Sequence, residues 1–232
     1  MKTEDAPIYI VSGLPRSGTS MMMKILEAGG LQTMVDNIRT PDENNPRGYY
    51  ELEAVKTIKK DHSWLAEARG KAIKIISKLL QALPTGYSYK IIFMKRRLEE
   101  IISSQETMLQ REGKSAAVDG KKLAALYHNH LEEIEEWLSR QKNIEVLYVT
   151  YHEVIADPKT NLQLLNNFLD NCLIIEKMVR VVDNSLYRQR TDPGRVSDHQ
   201  ENTKISGNTV EENATAESNK KIEDQLKALG YM

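Results

Sequence analysis

Residues 13–20 read GLPRSGTS. Two glycines at that spacing, three hydroxyl residues (Ser17, Thr19 and Ser20) and one cation, Arg16, are the makings of an anion cradle. Gly13 and Gly18 permit the bends that turn successive backbone N–H groups toward one point. A helix that follows adds the positive end of its dipole. Arg16 contributes a forked donor for anionic oxygen. An ordinary glycine turn with no ligand is the alternative.

The stretch departs from the G-x-x-x-x-G-K-[ST] loop of nucleotide hydrolases at one position. Thr19 stands where the lysine that reaches the β/γ-phosphates belongs. An apolar strand ending in a metal-holding aspartate is also lacking: IEVLYV (144–149) runs into Thr150 and Tyr151, and YKIIFM (89–94) into Lys95 and Arg96. The cradle therefore suits a terminal anion of lower charge that needs no metal. A sulfuryl group on a phosphate has that character.

LPRSGTS resembles the 5′-phosphosulfate loop, P-[KR]-S-G-T-[TS], of sulfotransferases that use 3′-phosphoadenosine 5′-phosphosulfate (PAPS). The resemblance implies that Arg16, Ser17, Gly18, Thr19 and Ser20 bind the phosphosulfate, with Arg16 also catalytic. The family's second signature is an arginine ending a strand with a serine eight residues on, which together hold the 3′-phosphate. FMKRRLEEIISSQ offers Arg96 and Ser104 at that spacing. The arginine leaves the carboxyl end of a strand, where ligands of open α/β sheets collect. The serine lies roughly 9 Å further along a helix. A solvated strand-end charge and an incidental helix serine are the bland alternatives. VLYVTYHEVIADP is similar to a third family stretch and implies that Tyr151 contacts the adenine, although His152 replaces the family's glutamate. Plain core packing is the other reading of Tyr151. The similarity spans roughly residues 8–190.

Two departures bear on catalysis. Met21 stands where cytosolic members stack an aromatic ring, and IKIISKLLQALP, with Ser77 and Lys78, lacks the histidine base of their K-T-H-L-P stretch. Carbohydrate-directed branches use a glutamate, and NPRGYYELE places Glu51 in a similar setting. Glu51 is accordingly expected to take the acceptor's proton. Its alternative role is the first-turn acid of a helix. Asp42 and Glu43 are weaker candidates in the same loop, Arg47 could orient the substrate, and Arg188, Arg190 and Arg195 match a basic loop over the 3′-phosphate poorly.

The elements that must position these residues alternate. IYIV (8–11), AIKII (72–76), YKIIFM (89–94) and IEVLYV (144–149) read as buried strands. TSMMMKILEAGG, LEEIISSQETMLQRE and residues 121–140 read as helices, and Asp157-Pro158 places an N-cap and an N1 proline before KTNLQLLNNFL. Helical spacing also runs from Glu51 to about Arg69 and over 173–187. The pattern predicts an α/β fold, a parallel sheet flanked by helices of the P-loop NTPase-like kind. Residues 6–190 are expected to form one sulfotransferase-like domain, 191–218 a flexible linker poor in large apolar residues, and 219–232 a short C-terminal helix that must dock on something, within the chain or on a partner.

The chain of 232 residues is 40% hydrophobic with a formal net charge of -1, which gives no global electrostatic case for nucleic acid. The acidic N-terminus and the lack of any long apolar run predict a cytoplasmic protein without a membrane span. The single Cys172 is expected to be buried and inert, and no Cys/His spacing resembles a metal site. The expected function is metal-independent transfer of a sulfuryl group from PAPS, leaving 3′,5′-ADP, to a hydroxyl or amine acceptor whose type the sequence does not name. Two rivals are a nucleotide-dependent phosphoryl-transfer enzyme with an atypical P-loop and a non-catalytic anion-binding or scaffold module.

Overall fold

A computed structural model describes residues 6–36, 38–39, 42, 45, 48–116, 118–182 and 208–231. Four parallel strands, β1 (Ile8–Gly13), β2 (Ala72–Lys74), β3 (Tyr89–Lys95) and β4 (Ile144–Thr150), form one sheet in the order β2-β1-β3-β4. Val11 pairs with Lys74 on one side and with Ile92 on the other. β1 and β3 are nearly all buried, as continuous β-branched runs require when helices cover both faces. β4 is the half-exposed edge.

The helices are α1 (Thr19–Gly29), α2 (Leu98–Arg111), α3 (Gly120–Ser139), α4 (Tyr151–Ala156), α5 (Pro158–Phe168), α6 (Ile175–Arg180) and α7 (Asn208–Ala228). One face of the sheet packs Ile10, Ile91 and Phe93 against α2, α3 and the end of α7. The other packs Val11, Ile92 and Met94 against α1, α4, α5 and α6. Capping follows the side-chain chemistry. Asp157 accepts from Thr160 N ahead of Pro158, and Asp119 accepts from Lys121 N and Lys122 N. None of the helices among the described residues is long and apolar enough to cross a membrane.

Four expectations change. The helical spacing of 173–187 shortens to α6, with Val181 and Val182 outside the helix and 183–187 outside the described residues. The helical spacing of 51–69 resolves into two 3₁₀ turns, Glu53–Thr57 and Ser63–Ala68. Asp61 Oδ1 captures Ser63 N at 3.0 Å and breaks the run, while Val55, Ile58 and Leu65 still reach the core. Cys172 is exposed: Asp170 and Asn171, both at φ 58, swing it outward and bury Leu173 instead. The last helix starts at Asn208, inside the stretch expected as linker, where Glu211, Glu212, Ala214 and Ala216 are good helix formers. Residues 183–207, with Arg188, Arg190 and Arg195, lie outside the described residues, as do Glu43 and Arg47.

Candidate functional site

The carboxyl ends of all four strands open on one crevice. β1 sits between β2 and β3, so the chain's crossovers leave it in opposite directions, and such a switch point is where open α/β sheets gather ligands. The 13–18 loop departs from β1 there. Gly13 has φ 143, and a Cβ on it would stand 2.6 Å from Ser17 Oγ and 2.7 Å from Met94 O. Gly18 has φ 102, and its Cβ would stand 2.4 Å from Tyr151 Cδ2. Only glycine allows this loop to lie so close to β3 and α4. Gly18 is also the N-cap of α1 and brings no side chain to its first turn, which leaves that turn open to an external acceptor.

Arg16 holds a left-handed backbone at φ 76, a conformation that costs a non-glycine residue about 1–2 kcal/mol and is found where the surroundings enforce it. The enforcing contacts are visible. Arg96 Nη1 donates to Arg16 O at 3.0 Å, and Gln105 Nε2 donates to Pro15 O at 3.1 Å. Gln105 Oε1 in turn accepts from Tyr127 OH at 3.0 Å and from Gln225 Nε2 at 3.2 Å, tying the loop to α3 and α7. Arg96 is itself fixed by Glu100 at 2.8 Å and lies over the Tyr151 ring, 4.6 Å from its centroid. The sequence-predicted residues Arg16, Arg96, Ser104 and Tyr151 therefore meet at one place. Ser104 faces the loop, where its Oγ accepts from Arg16 Nε at 3.0 Å. Ser17 Oγ is buried with no hydrogen-bond partner in the chain, an unmet donor in the floor of the cradle. Thr19 is buried at the start of α1, and Ser20 Oγ donates to Tyr49 O at 3.1 Å.

That last bond leads to a second wall. Glu51 Oε1 pairs with Lys74 Nζ at 3.2 Å and with Arg39 Nη1 at 3.3 Å. Lys74 Nζ also donates to Tyr49 O. Burial pushes the Lys74 ammonium down to about 8, against the pull of Glu51. Arg39 stacks on the Tyr49 ring at 3.7 Å, and Tyr49 OH donates to Asp42, the weaker candidate acid, at 2.8 Å. Burial and that carboxylate raise the Tyr49 phenol. Tyr231, beyond α7, completes the wall: Arg16 donates to its hydroxyl, and burial raises its phenol while Arg16 and Arg39 oppose the rise.

Lys74, Arg39 and Tyr231 were not among the sequence-predicted residues. Lys74 alone carried a signal, a cation inside the apolar run AIKII. A cavity of about 340 Å³ opens at Arg96 and is also lined by Phe93, His128, Glu132 and Glu135. Lys95 and Leu14 line it with Arg96, so it adjoins the crevice at the end of β3. Among the described residues, no three His, Cys, Asp or Glu side chains gather as metal ligands.

The profile of the sulfotransferase domain family matches residues 7–226. Among solved structures, the sulfotransferase domain of the Synechococcus PCC 7002 olefin synthase is similar at 16% identity, with 82% of each chain covered and a TM-score of 0.49. Mouse sulfotransferase SULT7A1, solved in complex with PAP, is 17% identical over 81% of this chain and 67% of its own, with a TM-score of 0.49. Sulfotransferase STF9 from Mycobacterium avium is 13% identical over 82% of this chain and 71% of its own, with a TM-score of 0.46. No curated protein sequence matches. Because the family profile runs over nearly the whole chain, the protein belongs to the sulfotransferase domain family.

Proposed function

We propose that the protein transfers a sulfuryl group from PAPS to a hydroxyl or amine acceptor. The observation that carries this reading is the cradle at 13–20. Its glycines exclude any Cβ, its arginine is held in a strained backbone, and its Ser17 hydroxyl is buried without a partner. Those features fit a phosphosulfate, whose oxygens accept from backbone N–H, hydroxyl and guanidinium donors alike.

When bound, PAPS supplies an activated sulfuryl group on a phosphate leaving group. Arg16, Ser17, Gly18, Thr19 and Ser20 hold that end, and Arg16 stabilises the charge that builds on the leaving side. Arg96, Ser104 and Tyr151 orient the nucleotide's other end, with the Arg96 guanidinium kept in place by Glu100 and the Tyr151 ring. Glu51 takes the acceptor's proton, and Lys74 and Arg39 hold its carboxylate toward the crevice. A second reading gives the proton to Lys74. Burial lowers that amine to about 8, close enough to neutrality for an appreciable free-base fraction.

Titration of the purified chain with 3′,5′-ADP in a calorimeter tests the assignment. Binding without added magnesium, weakened at least about tenfold by Arg96→Ala, is expected. Indifference to 3′,5′-ADP together with magnesium-dependent uptake of ATP would end it in favour of phosphoryl transfer.

A further inference from the structure

The last helix does more than cover the core. Ile222, Leu226 and Leu229 are buried against the α2/α3 side of the sheet. Gln225 bonds Gln105, and Lys114 Nζ donates to Ala228 O at 3.2 Å. The helix then ends in a defined reversal. Gly230 takes φ 79, its N–H reaches Lys227 O at 2.9 Å, and Tyr231 N–H reaches Leu226 O at 2.9 Å. This pair of bonds is the Schellman arrangement, which fixes the direction of the residue after the glycine. The direction here is into the crevice.

Tyr231 is 9% exposed, yet its surroundings are charged. Its hydroxyl meets Arg16 of the anion loop. Lys74 Nζ lies 5.7 Å and the Arg39 guanidinium 5.4 Å from the ring centroid. Glu51 lines the same pocket, where a void of only about 30 Å³ remains. Packing alone would be served by an apolar side chain. A phenol whose oxygen touches the loop arginine, with a carboxylate and a lysine beside it, has the neighbours that an acceptor hydroxyl needs.

We propose that Tyr231 is an internal sulfuryl acceptor, delivered to the site by α7, and that the protein O-sulfates this residue on itself. The proposal rests on the sulfuryl-transfer reading above. In the reaction the phenolic oxygen forms a bond to sulfur, and the bond from sulfur to the 5′-phosphate oxygen breaks. The phenolic proton passes to Glu51. The products are tyrosine O-sulfate and 3′,5′-ADP, and no oxidant or further reactant is consumed. Arg16 meets the oxygen that carries the new sulfate, and Arg39 and Lys74 lie against the ring that bears it.

The full chain is incubated with PAPS carrying isotopically labelled sulfur, then digested and analysed by mass spectrometry, with 3′,5′-ADP binding measured on the same preparation. Label on the peptide containing Tyr231, lost in Tyr231→Phe and acquired at a rate independent of protein concentration, is the expected result. A chain that binds 3′,5′-ADP but leaves Tyr231 unlabelled overturns this inference and leaves sulfuryl transfer to other acceptors standing. A chain that does not bind 3′,5′-ADP takes down the underlying reading and this one with it. Occupancy is checked separately, without turnover, by calorimetry with 4-methylphenol. Tyr231→Ala vacates the ring's place and should bind it at least about tenfold more tightly than the unmodified chain. Equal binding by the two overturns the placement of Tyr231 in the acceptor position.

Discussion

On the β1 side of the crevice, Arg16 and Ser17 are held by backbone geometry and by braces from α2, α3 and α7. On the β2 side, Glu51, Lys74 and Arg39 are held chiefly by one another. The first wall is shaped before any ligand arrives, because glycine φ angles and amide bonds do not depend on protonation. The second is an ion cluster, and its geometry lasts only while each charge has its partner. Lys74 is buried while Glu51 and Arg39 are only partly so, and removing Glu51 leaves the lysine without its counter-charge. One wall suits a constant anion. The other suits a group that gains and loses a proton.

Neutralising the ion cluster is the harshest test of that contrast. Glu51→Gln is expected to lower kcat by roughly 10²–10⁴ while 3′,5′-ADP affinity stays within about threefold. A loss of less than about tenfold, with the large loss appearing in Lys74→Met instead, moves the base to the lysine. The loop is tested through Gly18→Ala. The added Cβ meets Tyr151 Cδ2 at 2.4 Å and must adopt φ 102. Left-handed strain and overpacking together predict a loss of about 2–5 kcal/mol in urea unfolding, and of 3′,5′-ADP binding.

The smallest effect at neutral pH belongs to His130, behind the β2 wall, whose Nε2 lies 2.9 Å from Ser77 Oγ. Burial holds its imidazole at about 4, below the ordinary 6.5. The unfolded chain takes up this proton first as pH falls, so the contribution is complete above 6.5 and is lost on descent toward 4. About 3 kcal/mol is at stake across that window, at ~1.4 kcal/mol per pH unit. His130→Asn should flatten the unfolding free energy between those limits and change it little at pH 7.

The same contrast explains what could be read from sequence. The β1 strand, its loop and α1 are contiguous, so hydrophobic run, glycine spacing and helical periodicity sit side by side in IYIVSGLPRSGTSMMMKIL. The α5 start was equally local, since Asp157-Pro158 caps it wherever the helix packs. The β2 wall draws Arg39, Glu51, Lys74 and Tyr231 from four distant segments, and no local pattern marks them as neighbours. Glu51 is singled out in the sequence only through a resembling stretch. Lys74 sits inside the apolar strand run AIKII, where nothing local pairs it with Glu51. Ser104 was placed by its spacing from Arg96, but which group its hydroxyl meets depends on how far Arg16 reaches across the crevice. The apolar positions of 51–69 fix burial without fixing backbone type, because two short turns satisfy them as well as one helix does.

The Gln105 carboxamide has a consequence of its own. With one end on Pro15 and the other shared by Tyr127 and Gln225, it makes the rigidity of the 13–20 loop and the seating of the last helix parts of a single equilibrium. Whatever grips the loop also shifts the balance against detachment of that helix, and by reciprocity a detached helix weakens the grip.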